Sequence, residues 1–432
     1  MYSESLREIS SAVEKIGLGH PQNPKGFIGL LEKSASGKKL TGEEIIDLLN
    51  GTYGLKNQRL LLDFAEASPR PRSREILLLP PLYFSSICEN SCLYCDFSRH
   101  GVRLSRQEFF MELQALLKTG YRSIELVSSH DPGLYVQKDN FCLDDQKFSL
   151  KRVLPYFRMG KRSLEKVGGG MLTSNIPPVD RHSLQELKKA GLDCYLTWFE
   201  TFNSTQYALL HSTCGPKKSQ KFRLDSIEYA LDAGIPHVAG AFLKGLSDWR
   251  QEEAFLYLFD QYLQRHKGQG FSIIGTPRLK GRYASNKMVQ RYHLSDQEYE
   301  LNIALDRILF DGIHWLQTRE PFSLNRKLLK RFGAGVILTI TCSTAPGGYH
   351  KDFKAKAQFP VFKREILQSI KTLERDGFTV RWDWDSRTLR EFQRTHGRAL
   401  PTRTLPAAYP RASRKRAGSD SLPSPTRTGQ ES

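Results

Sequence analysis

Residues 81–97 read PLYFSSICENSCLYCDF, a short apolar run that leads directly into three closely spaced cysteines. Cys88, Cys92 and Cys95 follow one another at i, i+4 and i+7. Three thiolates on one tight loop can bind three corners of a cuboidal iron–sulfur cluster and leave one iron without a protein ligand. Structural zinc is the alternative, but it requires four protein ligands, and His100 does not stand at a usual zinc spacing. The spacing therefore favours an iron–sulfur cluster with an open coordination position.

The apolar run at 82–86 is the first of eight similar runs, each followed by amphipathic sequence. The other predicted strands are 124–128, 171–174, 194–198, 237–242, 271–274, 313–317 and 336–340. Helical periodicity occupies 107–118, 183–189, 224–232, 251–264 and 296–310. Alternating strands and helices are typical of βα units over a parallel sheet. Eight units predict an α/β fold of the TIM-type (β/α)8 barrel class. An open doubly wound sheet is the alternative, but no glycine-rich dinucleotide fingerprint follows a strand.

Composition divides the chain into four predicted parts. Residues 1–75 form a helical N-terminal extension, which ends in a proline-containing linker, and residues 76–345 form the barrel. Residues 346–390 form a C-terminal extension with one helix and a short strand, 379–382. Residues 391–432 are predicted to be a disordered basic tail, because proline, serine and arginine replace the large apolar residues there.

The formal net charge of +18 invites a nucleic-acid interpretation, but the distribution of charge argues against it. Part of the excess lies in the predicted tail, and the rest is spread along helices without a recognised nucleic-acid motif. No apolar run approaches the roughly 20 residues that cross a bilayer, and no signal peptide is evident. Together with cysteines too few and too uneven for disulfides, this predicts a cytoplasmic protein without a membrane partner.

Motifs beyond the cysteines extend the pattern along most of the chain. They are LKKAGLD (187–193), ET (200–201), RL (223–224), GLSDWR (245–250), PRL (277–279), TRE (318–320), PGGY (346–349) and WDWD (382–385). In this order, and with residues 81–97, they resemble the radical S-adenosylmethionine (SAM) aromatic amino-acid lyases. The resemblance is greatest to the tyrosine lyase of thiamine biosynthesis, 2-iminoacetate synthase, and it covers about residues 40–386.

The resemblance implies a cofactor pair and a reaction. A 4Fe-4S cluster held by the three cysteines would reductively cleave S-adenosylmethionine, and the deoxyadenosyl radical would abstract hydrogen from bound tyrosine. Cleavage between Cα and Cβ would then give p-cresol and 2-iminoacetate (dehydroglycine) for thiamine thiazole synthesis. The implied partners are a small-molecule amino-acid substrate, a reductant protein of the flavodoxin or ferredoxin type, and a thiazole synthase.

The resemblance also implies site residues around the cofactor. Tyr94, Ser129, His130, Glu200 and Arg223 are expected to contact S-adenosylmethionine. Glu200 would accept hydrogen bonds from the ribose hydroxyls, since a carboxylate can serve two donors. Arg223 would bind the methionine carboxylate through two parallel hydrogen bonds. No residue is assigned a catalytic role.

Four residues near the ends of the sixth and seventh predicted strands are expected to bind substrate. They are Arg278, Lys280, Thr318 and Arg319, which offer positive charge to an amino-acid carboxylate. Ion pairs with Glu320 or Asp248 are the structural alternative, because such pairs are common at protein surfaces.

The chain departs from the lyase pattern at its expected pocket. Ser128-Ser129-His130 replaces a Thr-Gly-Glu, although Asp131 offers a nearby carboxylate, and residues 198–202 read WFETF instead of YQETY. These departures leave open a divergent radical SAM paralogue that acts on another amino acid or small metabolite. A non-enzymatic metal-containing barrel that binds nucleic acid or a partner protein is a third hypothesis.

Overall fold

The computed structural model describes residues 4–17, 23–67, 74–137, 147–211, 216–310, 313–316, 320–340, 342–350, 357–358 and 365–396. Twelve strands are assigned within these ranges. They are β1 Glu75–Leu78, β2 Pro81–Ser85, β3 Ile124–Ser128, β4 Val136–Gln137, β5 Phe148–Ser149, β6 Leu172–Asn175, β7 Cys194–Glu200, β8 His237–Phe242, β9 Ile273–Gly275, β10 Ile313–Leu316, β11 Val336–Leu338 and β12 Thr379–Arg381. Strands β4 and β5 form a small antiparallel hairpin.

The other ten strands form one parallel sheet in the order β12-β1-β11-β10-β9-β8-β7-β6-β3-β2. Strands β1 and β2 are two halves of one bent segment, of which the first pairs with β11 and the second with β3. At the bend, the Leu79 amide donates to the Leu338 carbonyl and the Pro80 carbonyl accepts from the Glu125 amide. Hydrogen bonds thus continue around the ring, and the predicted TIM-type barrel is confirmed.

Fourteen α-helices are assigned in the described residues. They are α1 Glu4–Val13, α2 Pro24–Ala35, α3 Gly42–Gly51, α4 Leu55–Ala67, α5 Arg106–Thr119, α6 Leu154–Lys166, α7 Arg181–Lys189, α8 Ser204–Leu210, α9 Gln220–Asp232, α10 Trp249–Lys267, α11 Asp296–Leu309, α12 Phe322–Phe332, α13 Ile366–Arg375 and α14 Ser386–His396. No helix there has the length and apolarity required to cross a membrane.

Local sequence explains where several of the barrel helices begin. Ser105 and Ser295 each accept a hydrogen bond from a glutamate amide three residues on, and that glutamate bonds back to the serine amide. Such capping boxes satisfy amides that the first helical turn leaves unpaired. Because the ten strands of the sheet are parallel, their carboxyl ends lead into loops at one edge of the barrel, where the cysteines lie.

The N-terminal helices α1–α4 pack against α10 and α11 and share one hydrophobic core with the barrel. The Ser34 hydroxyl donates to the Ile308 carbonyl, and the Leu40 amide donates to the Tyr257 hydroxyl. The predicted helical extension is thus a layer on the barrel's outer surface.

The base of the barrel is covered by residues from the C-terminal end of the described chain. Trp384, Leu389 and Phe392 pack against the inward-facing side chains of the strands, and the Trp384 indole donates to the Leu78 carbonyl at 2.7 Å. Helix α14 extends to His396, so ordered structure continues beyond the boundary expected at residue 390. Residues 397–432, which contain most of the expected disordered tail, lie outside the described residues.

Candidate active site

The three predicted cluster ligands lie on the loop that follows β2. The Ser86 amide donates to the Val102 carbonyl at 2.8 Å, and the Cys88 amide donates to the Ser98 carbonyl at 2.9 Å. These bonds close the loop at its base. Gly101 is required there, since a Cβ atom on it would lie 2.3 Å from the carbonyl carbon of Ser86.

Cys88, Cys92 and Cys95 are free thiols that line one cleft at the carboxyl ends of the strands. The cleft encloses about 650 Å³ that protein atoms do not fill, part of which is open to solvent. Burial raises the pKa of Cys95 to about 12, so metal binding there displaces a thiol proton. Glu200 and Arg223 line the same cleft, which thereby offers soft ligands for iron beside a carboxylate and a guanidinium. This donor set fits an iron–sulfur cluster together with an amino-acid-derived cofactor.

Glu200 is the central charged group of this cleft. Lys217 Nζ lies 2.6 Å from Glu200 Oε1, and Arg223 Nη1 lies 4.0 Å from the same oxygen. Burial would raise the pKa of Glu200, but Lys217 and Arg223 outweigh burial and lower it to about 2. The carboxylate is therefore ionised and can only accept hydrogen bonds, as the predicted ribose contact requires.

The backbone places this carboxylate by a local distortion at the end of β7. Glu200 has φ of 68°, in the left-handed region, and the register with β8 shifts between Trp198 and Glu200. A non-glycine residue in this region costs on the order of 1 kcal/mol or more and is held by its surroundings. Here the Arg223 guanidinium donates to the Trp198 carbonyl at 2.8 Å and the Leu243 amide donates to the Glu200 carbonyl at 2.8 Å.

Ser129 and His130 lie where the lyase pattern has a glycine and a glutamate, and both line the cleft. The Ser129 hydroxyl donates to the Ile87 carbonyl and lies 3.3 Å from the Ser85 carbonyl, so it joins the ends of β2 and β3. Burial and the charge of Arg223 lower the pKa of His130 to about 3, which leaves its imidazole neutral.

Asp131 does not offer the replacement carboxylate that the sequence suggested. It is fully buried, and it accepts hydrogen bonds from the Ser85 hydroxyl at 2.6 Å, from Arg103 Nε at 2.7 Å and from the Gly133 amide at 2.9 Å. These donors occupy both carboxylate oxygens and fix the loop after β3.

Tyr94 supports the cysteine loop from behind. Its side chain is not among those that line the cleft, and its hydroxyl contacts His211 Nε2 at the end of α8. Its ring packs against an apolar cluster that includes Leu210, and Lys217 Nζ lies 5.3 Å from the ring centre. Tyr94 thus helps to hold the loop, and its contact with the cofactor stays a prediction.

The expected substrate-binding cations Arg278 and Lys280 form ion pairs away from the cleft. Arg278 is buried and donates to both carboxylate oxygens of Glu320, at 2.8 and 2.7 Å, while Lys280 Nζ lies 3.0 Å from the same group. Neither lines the cleft, which favours the structural alternative with Glu320. Thr318 and Arg319 lie outside the described residues.

Lys217, Asn175 and Gln358 also line the cleft but were not predicted from the sequence. Lys217 is in a short 3-10 turn between α8 and α9, where neither helix nor strand periodicity draws attention to it. Gln358 comes from a segment far from the cysteines in sequence. Asn175 ends β6 at the carboxyl edge of the barrel, and this position could have identified it.

Comparison with known proteins supports the same interpretation. Residues 82–258 match the Radical SAM superfamily. The chain is 27% identical over 376 residues to 2-iminoacetate synthase of Escherichia coli (strain K12), covering 84% of this chain and 93% of that protein. A 2-iminoacetate synthase of Salmonella typhimurium (strain LT2) is also 27% identical, over 71% of this chain and 77% of that protein.

The fold has a counterpart among solved structures. The [FeFe]-hydrogenase maturase HydG superposes with a TM-score of 0.74 at 23% identity, over 91% of this chain and 84% of that chain. The predicted cofactors, a 4Fe-4S cluster and S-adenosylmethionine, are those of the matched superfamily, whose enzymes act on small molecules and require a reductant. Residues 82–258 thus match the Radical SAM superfamily, and over most of its length the chain is similar to the 2-iminoacetate synthases.

Proposed function

We propose that this protein is a carbon–carbon lyase that cleaves tyrosine between Cα and Cβ to 2-iminoacetate and p-cresol. The observation that carries the proposal is the likeness to 2-iminoacetate synthase along 93% of that protein's length. Similarity over the whole barrel and its C-terminal extension, rather than the cysteine loop alone, favours a shared reaction.

The cluster, held by Cys88, Cys92 and Cys95, and S-adenosylmethionine beside it would together supply a carbon-centred radical able to remove a hydrogen atom from the substrate. The other cleft residues bind and orient. Ionised Glu200 accepts hydrogen bonds from hydroxyl donors, and Arg223 is positioned for a carboxylate.

Thr318 and Arg319, which follow β10 in the sequence, remain our candidates for binding the substrate's own carboxylate. Arg278 and Lys280 contribute to this end of the barrel by neutralising the buried Glu320. Glu320 follows Arg319 in the sequence, and its negative charge would otherwise repel an anionic substrate. Arg278 and Lys280 offset that charge.

The proposal places the enzyme in the cytoplasm, in thiamine thiazole synthesis. A reducing compartment keeps the free cluster cysteines from forming disulfides. Its partners would be an electron donor of the flavodoxin or ferredoxin type and a thiazole synthase that consumes 2-iminoacetate. Nucleic acid is not an expected partner.

The test is a product assay on anaerobically reconstituted protein with S-adenosylmethionine, a reductant and tyrosine. Chromatography should detect p-cresol and deoxyadenosine in equal amounts, and Cys92→Ala should yield neither. A Cys194→Ala variant is the matched control, because Cys194 is a buried thiol on β7 outside the cleft. Deoxyadenosine release without p-cresol would exclude tyrosine lyase activity.

A divergent amino-acid substrate is the second candidate, and the cleft wall supports it. Trp198 and neutral His130 line the cleft where the lyase pattern has a tyrosine and a glutamate. A cleft wall with a larger aromatic residue and one fewer negative charge favours a substrate whose side chain differs from that of tyrosine. The same assay, run with tryptophan, phenylalanine and basic amino acids, should then show deoxyadenosine release with one of these and none with tyrosine.

A further inference from the structure

Gln358 brings the C-terminal extension into contact with the third cluster cysteine. The two residues are 263 positions apart in sequence, yet Gln358 Nε2 lies 3.8 Å from Cys95 Sγ in N–H···S contact. Gln358 also lines the cleft that the three cysteines share. A remote segment therefore supplies a polar side chain directly to a cluster ligand.

Three hydrogen bonds hold Gln358 in this position. Its main-chain amide donates to the Thr344 carbonyl at 2.9 Å, and its main-chain carbonyl accepts from the Asp96 amide at 3.2 Å. On the side chain, the Tyr83 hydroxyl donates to Oε1 at 2.8 Å. Tyr83 is itself buried on β2 and stacks edge to face with Phe97.

The orientation of the Gln358 amide follows from its two neighbours. A cysteine that binds the cluster as a thiolate accepts hydrogen bonds and donates none, so in the cluster-bound protein the NH2 group must face Cys95. The Tyr83 hydroxyl can then donate to the oxygen on the other side, and both ends of the amide are satisfied. The reversed amide would place its oxygen against the negatively charged sulfur.

A donor at a ligand sulfur affects the two redox states of a cluster unequally. The reduced cluster carries one more negative charge, so a hydrogen bond stabilises it more than the oxidised cluster and raises the reduction potential. The site is partly shielded from solvent, which strengthens such a bond. Asn90 Nδ2 makes a comparable contact of 3.6 Å with Cys88 Sγ, but from within the cysteine loop itself.

We propose that Gln358 is a positioning residue that raises the reduction potential of the iron–sulfur cluster through its hydrogen bond to Cys95, with Tyr83 fixing the amide. The cluster's readiness to accept an electron thereby depends on correct docking of the C-terminal extension. This inference rests on the cluster and is independent of the proposed tyrosine substrate.

The experiment is a redox titration of the reconstituted full chain, followed by the electron paramagnetic resonance signal of the reduced cluster. At the potential that half-reduces the unaltered protein, Gln358→Leu should lower the ratio of reduced to oxidised cluster by about tenfold, equivalent to about 59 mV for one electron. Tyr83→Phe should lower the ratio less, because the amide stays but loses its fixed orientation.

Gln393→Leu is the matched control. Gln393 Nε2 donates to the Ser272 carbonyl at the base of the barrel, so this variant should titrate like the unaltered protein. A Gln358→Leu protein with full iron content and an unchanged ratio would overturn the proposal. If Gln358→Leu fails to retain iron, an unchanged ratio in Tyr83→Phe overturns it equally. No substrate is present, so the result is separate from the p-cresol assay.

Discussion

Replacing Lys217 with methionine should destabilise the folded protein by about 2–3 kcal/mol at pH 7. Lys217 Nζ lies 2.6 Å from Glu200 Oε1, and the side chains are only 17% and 9% exposed. Burial alone would raise the pKa of Glu200, yet Lys217 first and Arg223 second lower it from the ordinary 4.5 to about 2. At about 1.36 kcal/mol per pH unit, this difference corresponds to roughly 3 kcal/mol, most of which we assign to the closer cation.

A double-mutant cycle in urea isolates this interaction. Urea unfolding curves at pH 7 are measured for Lys217→Met, Glu200→Gln and the double variant. The coupling free energy between the two side chains should be about 2 kcal/mol. Because the folded-state pKa of Glu200 is lowered, its stabilising contribution is present above pH 4.5 and is lost as pH falls toward 2. The exposed neighbour Lys218 provides the control, and Lys218→Met should change the unfolding free energy by less than about 0.5 kcal/mol.

The outcome that contradicts this reasoning is additivity. If the double variant loses the sum of the two single losses to within about 0.5 kcal/mol, Lys217 and Glu200 do not interact as the structure indicates. The low pKa of Glu200 would then have to come from Arg223.

Three further predictions concern the barrel base, the barrel interior and the cysteine loop. Trp384→Ala should lower the unfolding free energy by about 4–6 kcal/mol, since it leaves a cavity and an unpaired carbonyl on β1. The control Leu367→Ala, at a site 57% exposed, should change the unfolding free energy by less than about 0.5 kcal/mol. Similar urea midpoints for the two variants would refute this prediction. Burial raises the pKa of Glu125 to about 8, so the folded carboxyl keeps a proton that the unfolded chain releases near pH 4.5, and its stabilisation is lost as pH rises toward 8. The stability of the unaltered protein relative to Glu125→Gln should therefore fall by about 3.5 kcal/mol from pH 5 to pH 8, and a constant difference would contradict it. Cys92→Ala should lose bound iron and its visible absorbance while Cys194→Ala retains both; equal iron content in the two would disprove the assignment of ligands.

Most of the barrel could be predicted from the sequence because its strands are buried on both sides. Such strands appear as short apolar runs between helical segments, and each of the eight predicted runs overlaps an observed strand. Strand β1 was not separated from the linker, because Glu75–Leu78 is short and lies only two residues before β2. Helix α14 was missed because it is strongly basic, and its few apolar side chains are buried only by packing against the barrel base.

The candidate site was predictable where residue type and position along a strand decide the chemistry. The cysteine loop, Glu200 and Arg223 meet in one cleft as expected. Sequence could not show that Arg278 turns toward Glu320, because that choice depends on distances between side chains from different loops. Gln358 was equally hidden, since its contact with the cysteine loop spans most of the chain.

The position of β12 also has a consequence for how the protein is made. Strand β1 is synthesised early, but its hydrogen-bonding partners on both sides, β11 and β12, are among the last strands to leave the ribosome. Pairing between such distant segments is slow, because the entropy cost of closing a long loop comes before any stabilising contact forms. The ring closes when β11, which ends at Leu338, pairs with β1, and β12 later covers the other edge of β1. A nascent chain held short of β11 therefore exposes both edges of an apolar strand to chaperones or to other copies.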